Sequence, residues 1–583
     1  DAFWLKRMTD ALIRLLLNEK DLEEARELVA KRFKNQIKQF DQRDSQDVFQ
    51  LYTNALGSLY DPHTSYLSPR TNENFKINMS LSLTGIGAEL TTEDDYTKVS
   101  RLIPGGPADL QGVLKAEDKI VGVGQAEKPI VDVIGWRIDE VVELIRGEKD
   151  TKVRLELIPS KGDSSNTKTI TIVRDKVKLE DKSAQSTILE IDLNGEAFKL
   201  GVIDIPAFYM DFEAYRARDP EFKSTTRDVY NLVEELTEAN VDGIVLDLRN
   251  NGGGSLYEAT SLTDLFIDYG PVVQIRDAEQ KVYRNHRASR RAAYSGPLIV
   301  MINRLSASAS EIFAGALQDY GRALIVGTQS FGKGTVQDVT ALSEGQLKMT
   351  ISKFYRVSGD STQHRGVIPD IAFPSLHDIE KIGESEQDNA LPWDRIHRVP
   401  HQTQDHLMPY VAPLTASHLK RRSADPDFAS LVERIKLSDD WEMDKSLSLN
   451  LEQRRARSER WDIGLFESEN RRLVAKGEEP FADLAAWKDN DEEDEESGDD
   501  NGQKSITEND QEDTLSSSSN QIQNNADVDT EEDTLNTEKD ENIAESDPML
   551  FEAGKVLSEQ IQLQTQALSQ RLAAVKSNKE SNL

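Results

Sequence analysis

The chain is 583 residues long and carries 70 Lys and Arg against 104 Asp and Glu, a formal charge of -34, with 37% hydrophobic residues. So acidic a balance excludes a nucleic-acid binder, whose phosphate contacts need clustered cations that outweigh their own acids. The absence of cysteine excludes disulfides, thiolate nucleophiles and Cys-ligated zinc, and the low apolar fraction implies several cores diluted by polar segments.

The chain opens DAFWLKRMTDALIRLLLNEKD, without an initiator Met, and its short apolar run is amphipathic and broken by Arg14. Neither a signal peptide nor a membrane span is expected there, and any export signal would lie upstream. Leu12, Ile13, Leu16 and Leu17, then Leu28, Val29 and Phe33, recur at helical spacing and predict a helical N-terminal region over 1–79. Over 80–177, short β-rich runs alternate with glycine turns around one amphipathic helix from about Ile138 to Ile145, the pattern of a small β-domain. Residues 178–375 read as α/β, with GIVLDL, PLIVMI and ALIVG as buried strands separated by helical segments such as RDVYNLVEELTEAN. Helical patterning returns over 376–488. The acidic, Ser- and Asn-rich tract 489–547, opening DNDEEDEESGDD, cannot bury enough surface to fold and is predicted to be a disordered, solvated spacer. Residues 548–583 regain helical spacing as a terminal helix that docks on the body or on a partner.

The stretch RLSASASEIFAGALQDY, Arg304 to Tyr320, sets three serines at a helix start, where a single cap suffices. It follows the strand PLIVMI, so it resembles the strand-to-helix elbow that exposes a nucleophile, although the GxSxG pattern is absent. Unpaired N–H groups and the macrodipole at a helix start favour an alkoxide or an oxyanion there. A neutral serine still needs a base. None of the 8 histidines falls in a glycine-bounded turn near these serines in sequence, and His63 in YDPHTSYLSPR reads as a satisfied structural histidine. Lys333 in QSFGKGTVQ is the candidate base: its flanking glycines permit close backbone approach, and burial would bring the ammonium toward neutrality. The same loop also suits an anion-binding lysine. Gln337, four residues on, shares Lys333's face, and its amide can orient the ammonium.

Together, SASASEIFAGALQDYGRALIVG, FGKGTVQ, LDLRNNGGGSLYEA, DPHTSYLSPR, SLSLTGIGAEL and VGVGQAEKPIVDVIGWRIDEVVELIRG resemble motifs of the carboxy-terminal processing peptidases. Within that family the likeness is to the tail-specific proteases of Gram-negative bacteria, over about Asp61 to Asp370. The resemblance implies a crotonase-like α/β serine protease core with an inserted PDZ domain, flanked by helical N- and C-terminal regions. It assigns the nucleophile to Ser308, the base to Lys333, the orienting amide to Gln337, and the oxyanion donors to the N–H groups of Ala309 and Gly254, with Gly253 the alternative. Asp319 matches an aspartate associated with activity and is counted with the catalytic set, yet eleven residues of continuous helix put it about 16 Å from Ser308, which favours a structural role. Ser306 and Ser310 remain as cap and packing residues.

SLTGIGAELTTEDD followed by VSRLIPGGPADLQGVLKAEDKIVGVG resembles a PDZ domain, with Gly85, Ile86, Gly87 and Ala88 where the carboxylate-binding loop would be. Such a loop turns successive N–H groups to a terminal carboxylate, while a strand edge pairs with the peptide. The implied protein is a serine endopeptidase that captures substrates by free, apolar C-terminal tails, with no metal, nucleotide or other cofactor. Nothing matches GxxxxGK[ST]. The resemblance further implies a periplasmic location, leaving association with the inner membrane open, and an adaptor or self-association through the helical regions. The alternative reading is a catalytically silent PDZ-type peptide-binding adaptor.

Overall fold

The computed structural model describes residues 2–18, 20–161, 167–286, 291–375, 377, 381–404, 407–442, 446–497 and 547–580. The chain enters as three helices, α1 (Ala2–Leu17), α2 (Leu22–Asp41) and α3 (Ser45–Gly57). Asp21 accepts the N–H groups of Glu23 and Glu24, and Asp44 forms a reciprocal capping box with Asp47, so both starts are fixed by side chains. The region 1–79 is not helical throughout. Its strand β1 (Ser65–Leu67) belongs to the protease core, and three residues are too few to leave an alternation in the sequence. Ser68 then caps α4 (Pro69–Ser80), with Pro69 at its first position.

The inserted domain is entered and left through an antiparallel ribbon of β2 (Ser82–Gly85) and β9 (Asp175–Lys178). Between them lie β3 (Ala88–Glu93), β4 (Tyr96–Leu102), α5 (Pro107–Gln111), β5 (Lys119–Gln125), β6 (Val131–Asp132), α6 (Ile138–Ile145), β7 (Lys152–Ile158) and β8 (Lys168–Val173). The sheet runs β3-β4-β5-β7-β8, so β3 is an edge strand. Val99, Leu114, Ile120, Val153 and Leu155 fill its own small core.

The protease core is built on β10 (Gln185–Leu193), β11 (Glu196–Asp204), α7 (Phe212–Arg216), α8 (Thr225–Glu238), β12 (Gly243–Asp247), α9 (Leu256–Thr263), β13 (Pro271–Asp277) and β14 (Val282–His286). It continues through β15 (Leu298–Ile302), α10 (Ala309–Asp319), β16 (Leu324–Gly327), β17 (Thr335–Ala341), β18 (Gln346–Tyr355) and β19 (Ile371–Ala372). The main sheet has the order β10-β11-β12-β15-β16-β19 and is parallel from β11 onward. The three apolar runs of the sequence are its central strands β12, β15 and β16, buried on both faces as parallel strands must be. A second sheet has the order β1-β18-β13-β14, with β17 paired to β18.

One face of the main sheet is covered by α8, α9 and α10 through Val229, Val233, Leu262, Phe313 and Leu317. The other is covered by α11 (Met408–Ala424), α12 (Pro426–Glu442) and the terminal helix Pro548–Glu580. Of two further helices, α13 (Leu451–Lys476) packs on α12, and α14 (Leu484–Ser497) packs on α13. Both ends of the acidic tract therefore differ from expectation. Glutamates propagate helix well, and α14 extends to Ser497, while Asp547 pairs with Arg249 at 3.0 Å. The rest of the tract, 498–546, lies outside the described residues. The terminal helix docks on the body, as one of the two expected alternatives. Among the described residues no helix is long and apolar enough to cross a membrane.

Candidate active site

The strand β15 ends in a tight turn from which α10 departs, and Ser308 is the last residue before the helix, at φ 56 and ψ -106. A non-glycine residue in that region is strained and must be held by its surroundings. The Ser308 N–H donates to Glu311 Oε2 at 2.7 Å, and the Ala307 N–H donates to the Asn251 carbonyl at 3.0 Å. The neighbouring serines are both committed to structure. Ser306 Oγ accepts the Asn303 N–H at 2.9 Å and donates to the Leu248 carbonyl at 2.7 Å; Ser310 Oγ donates to the Asn251 carbonyl at 2.9 Å. Both are fully buried, whereas Ser308 is partly exposed. Of the three serines, only Ser308 stands in an elbow that can meet a substrate.

The loop after β12 lies against this elbow. A methyl group on Gly253 would sit 3.0 Å from Ser308 Cβ and 3.1 Å from the Ala309 nitrogen, so only glycine allows the approach. The Gly253 N–H is taken by Asn251 Oδ1 at 2.9 Å. Among the described residues no protein acceptor takes the N–H of Gly254 or that of Ala309, the first residue of α10. Of the two glycines weighed for the oxyanion role, Gly253 therefore has its N–H already engaged.

Lys333 lies in the loop between β16 and β17. Its backbone N–H donates to Glu311 Oε2 at 2.9 Å, the Gly332 N–H to Glu311 Oε1 at 2.7 Å, and Ser330 Oγ to the same oxygen at 2.6 Å. One buried carboxylate thus ties the serine elbow to the lysine loop. Burial pushes the Glu311 carboxyl up to about 7, against the four donors that pull it down. The Lys333 ammonium is pulled down to about 8, first by burial and then by the neighbouring Lys348 charge, with Glu384, Glu311 and Asp61 acting the other way. That value lets a lysine lose its proton near neutral pH.

Gln337 sits on β17 and donates through Nε2 to the hydroxyls of Thr335 and Thr350, each at 3.0 Å. His63 is buried, as expected of a satisfied histidine: its Nε2 meets Glu384 Oε2 at 2.8 Å, and burial, then the Lys333 charge, lower its pKa. Glu384 also accepts Gln363 Nε2 at 2.8 Å, and Gln363 Oε1 takes the Gly334 N–H at 2.7 Å. Asp319 is not brought to this cluster. At the far end of α10 its carboxylate binds Arg356 at 2.6 and 3.1 Å, which fixes β18 to the helix and supports the structural reading over the catalytic one.

Sequence reasoning missed Glu311, Glu384, Asp61, Thr350 and Lys348. Glu311 had a signal, since Ser308-x-x-Glu311 has capping-box spacing, but nothing in that spacing announces the reach to residues 330–333. Replacing Glu311 with glutamine should set an NH2 group against buried N–H donors. The expected result is a fall in kcat of about 100-fold, because the two turns shift apart, and a loss of about 1 to 3 kcal/mol of stability. Peptide kinetics and thermal melting check it.

In the inserted domain, Gly85 closes β2 and Ala88 opens β3, with Ile86 and Gly87 forming the loop between them. Their carbonyls are bound by Ala108 N–H at 2.8 Å and Ile103 N–H at 3.0 Å. Their own N–H groups have no protein acceptor among the described residues. The Ile86 side chain is buried in the domain core, so its part at the loop is its backbone. The open edge of β3 runs alongside α6, leaving a place where an extended peptide can add as a strand.

Family models match four consecutive parts of the chain: the tail specific protease N-terminal domain over 1–70, the PDZ domain over 74–158, peptidase family S41 over 199–373, and the C-terminal domain of tail specific protease over 377–562. The tail-specific protease of Haemophilus influenzae is 41% identical over 496 residues, 83% of this chain and 69% of that one. The carboxy-terminal-processing protease of Bartonella bacilliformis is 32% identical over 332 residues, 56% of this chain and 70% of the relative. A solved photosystem II D1 C-terminal processing protease is 29% identical, with a TM-score of 0.32, over 58% of this chain and 86% of that chain.

Proposed function

The chain belongs to peptidase family S41, among the tail-specific proteases, and from that premise we propose a serine endopeptidase with a Ser308–Lys333 dyad that selects substrates by apolar, free C-terminal tails. The observation that carries this reading is the shared Glu311 carboxylate, which binds the backbone of both Ser308 and Lys333 while burial lowers the lysine. Neutral Lys333 takes the Ser308 hydroxyl proton as Oγ attacks the scissile carbonyl carbon. The N–H groups of Ala309 and Gly254 receive the negative oxygen that develops. Lys333 then returns its proton to the leaving amine, freeing the C-terminal fragment and leaving an ester on Ser308. Water then gives a proton to the same amine as it attacks the ester carbonyl, the C–Oγ bond breaks to release the acid, and Lys333 returns the proton to Ser308 Oγ.

Capture belongs to the Ile86–Gly87 loop and the β3 edge, remote from the bond that breaks. Amidating the C-terminus of a peptide substrate removes the charge the loop would hold. The expected outcome is a KM raised by about tenfold or more with a smaller change in kcat. Equal kinetics for free-acid and amidated peptides would count against tail recognition. We propose a periplasmic location, and fractionation of cells expressing the protein tests that assignment. Cleavage of an unstructured reporter with an apolar C-terminus, by wild type and by Ser308→Ala, tests the proposed activity.

A further inference from the structure

Asp61 comes from the segment that precedes β1, outside the protease core in sequence, yet it is 95% shielded from solvent beside the lysine loop, with a relative exposure of 5%. Pairing of β1 with β18, Ser65 opposite Lys348, brings it there. Its Oδ1 accepts the His63 N–H and the Thr350 hydroxyl, each at 2.8 Å, and its Oδ2 accepts the Thr64 hydroxyl at 2.6 Å. A carboxylate only accepts, so the single hydroxyl proton of Thr350 points at Asp61 and Thr350 offers lone pairs alone to its other neighbour. That neighbour is Gln337, the cross-strand partner of Thr350. It must therefore present its NH2 end, as it does at 3.0 Å, and its second N–H goes to Thr335 Oγ1 at 3.0 Å. Both amide protons are spent. Gln337 Oε1 is the remaining end, and no protein donor reaches it among the described residues.

We propose that Asp61, acting through the Thr350 hydroxyl, fixes the amide of Gln337 with its oxygen available to Lys333, which makes Asp61 and Thr350 positioning residues of the proteolytic reaction. This rests on the Ser308–Lys333 reading. A flipped amide would turn N–H donors toward an ammonium that already faces Lys348 as a like charge. The other ionisable groups acting on Lys333 are Glu384, Glu311 and Asp61, while the Lys333 charge itself lowers His63.

The test is steady-state cleavage of an unstructured peptide with an apolar free C-terminus. Thr350→Val keeps the shape and removes the hydroxyl; kcat should fall by about 100-fold with KM nearly unchanged, as for a misplaced catalytic group. Thr350→Ser restores the hydroxyl and should recover kcat to within about threefold of wild type. In a Gln337→Ala background, Thr350→Val should add less than about twofold, because the relay has lost its endpoint. Equal losses in both backgrounds, or a Thr350→Ser variant as impaired as Thr350→Val, would overturn the relay. A Lys333→Ala variant that still turns over would instead overturn the dyad, whereas a dead Lys333→Ala with an unimpaired Thr350→Val overturns the relay alone.

Discussion

Lys333→Ala and Lys333→Arg are each expected to lose peptide cleavage by about ten-thousand-fold or more, since a dyad without its base keeps only binding and oxyanion stabilisation. The arginine variant is the sharper of the two. It preserves a long cationic side chain, but a guanidinium stays protonated and cannot take the serine proton. On the proposed mechanism Lys333 acts only as the neutral amine, so kcat/KM should rise with pH along a limb centred at about 8, where burial and Lys348 have brought the ammonium. The shift also has a sign for stability. The folded value lies below the ordinary 10.5, so the unfolded chain binds more protons between the two, and this group's contribution to stability rises with pH across that window. At neutral pH the buried ammonium is a cost. Losing it is therefore not expected to lower the melting temperature, and a folded but inactive Lys333→Ala would separate chemistry from structure. Turnover retained in either variant would remove Lys333 from the mechanism.

Deleting residues 548–583 should destroy the fold, whereas replacing 498–546 with a flexible linker of the same length should leave cleavage of a short peptide intact. The terminal helix lays Met549, Leu550, Ala553, Val556 and Leu557 onto the main sheet against Leu189, Ile191, Leu200 and Val245. The approach is close: a methyl on Gly554 would lie 2.8 Å from Leu189 Cδ2, and one on Gly243 3.0 Å from Leu557 Cδ2. Met549, Leu550, Val556 and Leu557 contribute about 1.5 to 3 kcal/mol each when buried. Their sum approaches a whole domain's stability of about 5 to 15 kcal/mol. Polar contacts add orientation, as Arg421 binds Glu552 and Glu559 and Asp547 reaches Arg249 just before the glycine loop that follows β12. Solubility and melting of the two variants decide the matter. A soluble, cooperatively melting 548–583 deletion would contradict it.

The serine elbow and the buried strands were legible because each leaves a local pattern. GIVLDL and PLIVMI are continuous apolar runs, and the strained turn at Ser308 follows one directly. Lys333 was singled out through its flanking glycines, and the structure ties its loop to the Ser308 turn through Glu311. What escaped was made by distance in sequence. Glu384 and His63 are 321 positions apart and meet at 2.8 Å, and Asp61 reaches Thr350 only because a three-residue strand pairs with β18. No periodicity encodes such contacts. The terminal helix shows a related limit: its apolar stripe marked it as a helix, but whether that stripe met the body or a partner depended on an open sheet face contributed by residues hundreds of positions earlier.

The central claim is that Ser308 carries the substrate covalently, and acid quenching during turnover of an apolar-tailed peptide, followed by mass analysis of the digested protein, tests it most directly. An acyl-peptide adduct should appear on the fragment containing Ser308 in wild type and be absent from Ser308→Ala and Lys333→Ala, with Ser308→Ala still binding the tail. An adduct on another residue, or cleavage that persists in Ser308→Ala, would contradict the account.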